Sequence, residues 1–128
     1  MDIALKLISA GVVSLLLGFP QHGYAQSDVS NYSQKTLLKN WAFSRCLGQV
    51  YKDEKTKDDA NSSAAAYLEY GHQPITAYEK LDVLVARYAS RKYSGSVDSQ
   101  FNTMKCIDLL YSKELDELVG KLLSKKRR

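Results

Sequence analysis

The sequence predicts an all-α domain, a compact bundle of four to five helices. Apolar residues recur at spacings of three and four along most of the chain, which is the pattern of amphipathic helices. Only one proline, Pro74, follows residue 25, and β-branched residues are scattered instead of alternating as they do in strands. Residues 26–128 have the length of a single domain with its own core.

Residues 1–25 are predicted to be a signal peptide and not part of the fold. MDIALK supplies one basic residue, Lys6, and LISAGVVSLLLGF is an apolar run that is short for a membrane span. Small residues follow at Gly23 and Ala25, the two positions that a signal peptidase reads, so we expect cleavage after Ala25. An uncleaved anchor is the alternative. Export leaves one domain, residues 26–128.

The first helix is predicted from about Gln34 to Lys52, with Ser33 as its N-cap. Two adjacent rows of mostly apolar residues at a spacing of four run along this segment. They are Leu38, Ala42, Cys46 and Val50 in one row, and Phe43, Leu47 and Tyr51 in the other. A face this broad predicts that the helix is central in the bundle.

The second helix is expected to follow the charged stretch KDEKTKDDANSS. Thr56 and Asp59 have the spacing of a capping box, and apolar residues continue at helical spacing up to Leu68. Gly71 is predicted to end this helix, and Pro74 is suited to the first position of the next one.

The third helix is predicted from about Pro74 to Lys92, where Thr76 and Glu79 repeat the capping spacing. Its core face carries Tyr78, Leu81, Val85 and Tyr88, and its outer face carries Glu79, Asp82, Arg87 and Arg91. We expect Ser94 and Gly95 to end it, with Gly95 in the left-handed conformation.

The fourth helix is predicted to begin near Ser99, and a break near Ser112 would separate it from a fifth helix. The fourth carries Phe101, Met104, Ile107 and Leu110, and the fifth carries Leu115, Leu118, Val119, Leu122 and Leu123. Between the third and fourth helices lies RKYSGSVDSQ, residues 91–100, which is longer and more polar than a connection between packed helices needs.

The two cysteines of the chain, Cys46 and Cys106, are predicted to form a disulfide. An exported protein with a small, even number of cysteines usually pairs them. The bridge would close a loop of about 60 residues, which contributes roughly 4 kcal/mol of stability in the chain-entropy account. A catalytic thiol is the alternative, but it needs a base and only one histidine, His72, follows residue 25.

The residues offer little material for an enzyme, so we expect a binding protein with no cofactor and no metal. There is no cluster of histidines or cysteines for zinc and no glycine-rich phosphate loop. The acids between Asp53 and Asp59 lack the spacing of a calcium loop. A hydrolase with paired carboxylates, drawn from Glu69, Glu79 and Asp82, stays open as an alternative.

The formal charge of +4 is concentrated at the end of the chain, where the last four residues, 125–128, are all basic. The rest of the exported part is balanced between acids and bases. We interpret this tail as a solvated end, although such a run can also dock on an anionic lipid or polymer. Nucleic acid is not an expected partner.

Four stretches of the sequence resemble the type VI secretion amidase immunity proteins of group four. They are NWAFSRCLGQVY, KDDANSSAAAYLEYG, YEKLDVLVARYASRKYSG and TMKCIDLLYSKELDELV, and the likeness extends from about Lys39 to Leu122. The resemblance implies an all-helical periplasmic homodimer that blocks its cognate effector. That effector is a cysteine peptidase that cuts the γ-D-glutamyl to meso-diaminopimelate bond of peptidoglycan.

The same resemblance implies where the partner binds. In the family, the loop between the third and fourth helices enters the active-site cleft of the effector, and the third helix adds contacts. On this chain the candidate loop residues are Tyr93, Ser94, Gly95, Ser96, Val97, Asp98 and Ser99, with Arg87 and Arg91 as helix contacts, and Cys46 and Cys106 as the family's bridge.

The implied assembly is two inhibitors with two effectors, without stable membrane insertion after cleavage of the signal. Two other functions stay open. One is inhibition of a different wall hydrolase, such as a lysozyme, and the other is an enzyme or a structural protein that binds peptidoglycan.

Overall fold

The computed structural model describes residues 28–125, which form a short 3-10 turn and five α-helices. The turn is Asp28–Asn31, and the helices are α1 Gln34–Val50, α2 Glu54–Glu69, α3 Ile75–Ala89, α4 Asn102–Leu110 and α5 Lys113–Ser124. No strand occurs in this range, so the all-helical prediction is confirmed. The predicted signal peptide and tail residues 126–128 lie outside it. Within 28–125 no helix is long and apolar enough to cross a membrane.

Helix α1 is central, as its two apolar rows predict, because it contacts each of the other four helices. Its buried side chains include Leu38, Trp41, Ala42 and Cys46. Ser33 is the predicted N-cap, and its Oγ accepts a hydrogen bond from the backbone N–H of Thr36 at 3.1 Å.

The predicted disulfide is present and joins α1 to α4. The Cα atoms of Cys46 and Cys106 are 5.6 Å apart, and neither residue is exposed. A second link lies nearby, where the Asn102 side-chain amide donates to the Val50 carbonyl at 3.1 Å. The first turns of α4 are thus fixed to the C-terminal half of α1. The catalytic-thiol alternative is wrong, because both thiols are consumed in the bridge.

Two of the predicted capping boxes are wrong. Asp53, and not Thr56, caps α2, since the Asp53 carboxylate accepts from the Thr56 N–H at 2.9 Å and from its hydroxyl at 2.8 Å. The bond from that N–H lowers the pKa of Asp53. Pro74 stands at the N-cap of α3 without a side-chain hydrogen bond, so the predicted capping by Thr76 does not occur.

The connection between α3 and α4 is longer than predicted at both ends. Helix α3 stops at Ala89 and α4 begins only at Asn102. The left-handed residue is Phe101, at φ 51°, and not Gly95, since no glycine in residues 28–125 has a positive φ. The predicted break at Ser112 is confirmed, because its Oγ accepts from the Leu115 N–H at 3.1 Å and caps α5.

Gly71 follows the end of α2 as predicted, but its requirement for glycine is steric. A Cβ at this position would lie 1.9 Å from the Tyr78 hydroxyl oxygen. That hydroxyl is buried without a hydrogen-bond partner among the described residues, and its burial raises the pKa of Tyr78. The Tyr78 side chain on α3 therefore occupies the space that any side chain at position 71 would need.

Replacing both cysteines, as Cys46→Ala with Cys106→Ala, is expected to lower the free energy of unfolding by about 4 kcal/mol. The loss comes from the larger conformational freedom of the unfolded chain. Urea denaturation measures it. Reductant should weaken the wild-type protein to a similar degree and leave the double variant unchanged, and equal stability of all samples would contradict the prediction.

Gly71→Ala is expected to destabilise the protein by about 1–3 kcal/mol through overpacking against Tyr78. Tyr78→Phe removes the clashing oxygen and an unpaired buried hydroxyl, so it should be neutral or stabilising by about 1 kcal/mol. In the Tyr78→Phe background the cost of Gly71→Ala should fall sharply.

Gly120→Ala is the matched control for this pair. No atom lies within 4 Å of the added Cβ, and the residue is inside α5, so alanine should stabilise by up to about 1 kcal/mol. Chemical denaturation of all four variants gives the comparison. Equal costs of Gly71→Ala with and without the Tyr78 hydroxyl would refute the steric explanation.

Candidate functional site

The site candidate is the loop between α3 and α4. Residues 94–100 are all exposed, and Tyr93 is half-buried at its start. The side chains at the tip are small, and the largest of them, Val97, is 63% exposed. The loop therefore presents mostly backbone, hydroxyl groups and one carboxylate, that of Asp98, to the solvent.

Tyr93 connects the start of the loop to α4. Its hydroxyl donates to the Asp108 carboxylate at 2.5 Å, and this hydrogen bond is the main cause that raises the pKa of Tyr93. Tyr93 is predicted from the sequence only as a candidate loop residue, and no sequence pattern singles out Asp108. The two residues are 15 positions apart, so only the packing of α4 beside the loop reveals the pair.

The end of the loop turns on Phe101. Ser99 Oγ accepts from the Phe101 N–H at 3.1 Å, and α4 starts later than the predicted Ser99 because the backbone of Phe101 is left-handed and not helical. The phenyl ring lies against Gly95, where an added Cβ would be 2.8 Å from the ring Cζ atom. A larger side chain at this position would displace the ring, so the contact depends on the small size of Gly95.

A depression of about 430 Å³ opens beside the loop. It is lined by Tyr93, Ser94, Gly95, Ser96, Val97, Phe101 and Met104. Met104, in the first turns of α4, is half exposed. The loop and the start of α4 thus form one continuous surface with both polar and apolar groups, which suits contact with another protein.

Arg87 and Arg91 share one carboxylate, that of Glu114 on α5. Arg87 Nη2 is paired with Glu114 Oε2, Arg91 Nη2 lies 4.0 Å from Glu114 Oε1, and the Tyr88 hydroxyl donates to the same Oε1 at 3.2 Å. The guanidinium of Arg91 also lies 3.5 Å above the Tyr88 ring. Both arginines are exposed, but the Glu114 carboxylate already neutralises part of the positive charge that they present to a partner.

The carboxylates of the hydrolase alternative are those of Glu69, Glu79 and Asp82. Asp82 accepts from Arg45 Nε on α1 at 3.2 Å, so it has a structural partner. The described residues contain no group of three or more His, Cys, Asp or Glu placed to hold a metal ion. The His72 backbone N–H donates to Gln34 Oε1 at 2.7 Å.

Comparison with protein families matches residues 36–119 to the sequence model of Tai4, described as a type VI secretion system (T6SS) amidase immunity protein. The comparison with curated protein sequences found no significant match.

Solved structures of related effector–immunity systems are similar to this chain. A chain from the Tae4/Tai4 system of Salmonella typhimurium is 49% identical over 75% of this chain and 95% of its own, with a TM-score of 0.73. One from the Enterobacter cloacae Tae4–Tai4 complex is 29% identical over 76% and 99%, with a TM-score of 0.67. One from a study of secreted toxins and self-resistance proteins of Serratia marcescens is 31% identical over 83% and 90%, with a TM-score of 0.71.

Arg87→Gln is expected to raise the pKa of Glu114 toward its ordinary value, because Arg87 is the main cause of the lowered pKa. A carboxyl pKa that is lower in the folded state adds stability above its unfolded pKa, and this gain is lost as the pH falls through the folded pKa. Arg87→Gln should therefore destabilise the protein more at pH 7 than at pH 3. NMR pH titration and denaturation at both pH values test this.

Lys55→Gln, which removes an equal charge from an exposed position on α2, is the control. It should leave the pKa of Glu114 unchanged. An unchanged Glu114 titration in Arg87→Gln would contradict the ion-pair assignment.

Proposed function

Because this chain belongs to the Tai4 family of type VI secretion system amidase immunity proteins, we propose that it binds and inhibits a peptidoglycan amidase effector in the periplasm. The family is one of immunity proteins, not of enzymes. The similar Salmonella chain comes from an effector–immunity system, and the Enterobacter chain comes from an effector–immunity complex. The effector would be a cysteine peptidase that cuts the γ-D-glutamyl to meso-diaminopimelate bond.

The mechanism that we propose is insertion of residues 93–99 into the active-site cleft of the effector. The observation that carries it is the exposed loop between α3 and α4, whose tip bears only small side chains. Such a tip can enter a narrow cleft without rearrangement. Asp98 and the serines would hydrogen-bond near the catalytic pair, and Tyr93 would pack at the mouth of the cleft.

Arg87 and Arg91 are proposed to contact the effector beside the cleft. Both side chains are exposed. Arg87 lies in the last turn of α3, and Arg91 lies between the end of α3 and the loop. Because they already share Glu114, a contact there would rest more on hydrogen bonding and stacking than on net charge.

The cellular setting follows from the predicted signal peptide. Cleavage after Ala25 would release residues 26–128 into the periplasm as a single immunity domain without stable membrane insertion. The Cys46–Cys106 disulfide supports an oxidising compartment. We further propose a homodimer that binds two effectors.

The second candidate function is inhibition of another wall hydrolase such as a lysozyme, which would use the same export signal, disulfide and exposed loop. Separate inhibition assays with a lysozyme and with a γ-D-glutamyl amidase distinguish the two functions. Inhibition of the lysozyme alone would overturn the proposed effector.

Ser96→Trp, or deletion of residues 95–97, is expected to weaken binding to the cognate amidase by at least about 100-fold, the effect of losing a central contact of an interface. An indole at the loop tip cannot enter a cleft shaped for a hydroxymethyl group. Calorimetric titration and peptidoglycan cleavage assays measure the effect.

Ser62→Trp, at an exposed position on α2, is the matched control and should bind like the wild type. Removal of residues 125–128 should also leave the affinity nearly unchanged, because a terminal charge run is usually solvated. Full inhibition by the Ser96→Trp variant would show that the loop is not the plug.

A further inference from the structure

The loop that is proposed to enter the cleft has no backbone framework of its own. No backbone–backbone hydrogen bond in the described part of the chain involves residues 92–100. A segment of this kind samples many conformations unless side chains restrain it, and every conformation that it loses on binding lowers the affinity.

Side-chain contacts restrain the loop at its start, middle and end. At the start, the Tyr93 hydroxyl donates to the Asp108 carboxylate at 2.5 Å, a charge-assisted bond. In the middle, Gly95 lies on the ring of Phe101, and at the end Ser99 Oγ accepts from the Phe101 N–H. Asp108 and Phe101 thus contact the loop from outside residues 93–99.

Asp108 and Phe101 are themselves tied to the core. Phe101 is the N-cap residue of α4, and Asp108 lies on α4 two residues after Cys106, whose disulfide is buried against α1. The bond from Asn102 to the Val50 carbonyl fixes the same end of the helix. These contacts therefore fix the position of the loop relative to the disulfide-bonded helices α1 and α4.

We propose that Asp108 and Phe101 are positioning residues, which hold the loop in its binding conformation before the effector arrives. Asp108 acts through Tyr93 and Phe101 acts through Gly95, and neither needs to touch the partner. If the loop is already ordered when the protein folds, the conformational entropy that it would lose is not lost again on binding. This inference deepens the proposed function and rests on the loop being the element that enters the cleft.

The first test needs no effector. In Asp108→Ala and in Tyr93→Phe, NMR order parameters of the backbone amides of residues 94–100 should fall from about 0.85 toward 0.6, the range of flexible segments. Asp108 is exposed, so its removal should cost only the hydrogen bond to Tyr93, with a small drop in the melting temperature and an intact fold. Phe101→Asn, which tolerates left-handed backbone but lacks the ring, should free the middle of the loop in the same way.

Tyr70→Phe is the matched control for the lost hydroxyl, since Tyr70 is a half-exposed tyrosine at the end of α2. It should change neither the order parameters nor the binding. Unchanged loop order in both Asp108→Ala and Tyr93→Phe would overturn the inference, whether or not an effector has been found.

The second test is the affinity for the cognate amidase. Asp108→Ala and Tyr93→Phe should each weaken binding roughly three- to tenfold, the value of one hydrogen bond, and the double variant should be no weaker than either. Additive losses, or a freed loop that binds like the wild type, would overturn the positioning role. Failure of the wild-type protein to bind is a separate result, which would overturn the proposed function itself.

Discussion

The Cys46–Cys106 disulfide is the constraint on which the position of the candidate site depends. Helix α4 has nine residues, too few to be stable without tertiary contacts. The bridge holds it against α1, which contacts all four of the other helices. Phe101 at the start of α4 and Asp108 within it both contact the preceding loop. The position of the loop therefore depends on the bridge.

The loop combines an exposed tip with a restrained base. Its tip consists of small side chains, whereas its start and end are tied to α4 through Tyr93 and Phe101. Phe101 holds a left-handed conformation, which costs about 1 kcal/mol or more for a residue other than glycine. The contact of its ring with Gly95 explains why an aromatic residue stands where glycine or asparagine would be less strained.

Sequence patterns predicted the helices better than their ends. The apolar rows of α1, its Ser33 cap and the Ser112 break are confirmed, because each rests on a periodicity or a cap within a few residues. The starts of α2 and α4 were wrong. Several polar residues one turn apart can cap the same helix, and the choice between Asp53 and Thr56 depends on which backbone amide the folded chain presents.

By itself the sequence determined the helical class, the central place of α1 and, with the export argument, the cysteine pair. Its family resemblance also directed attention to residues 93–99. Only the tertiary structure decided which distant residues meet, as in the approach of Tyr93 to Asp108, Gly71 to Tyr78, and both arginines to Glu114. Periodicity reports which face of a helix is apolar, but it does not report which neighbouring helix covers that face or which side chains lie opposite each other.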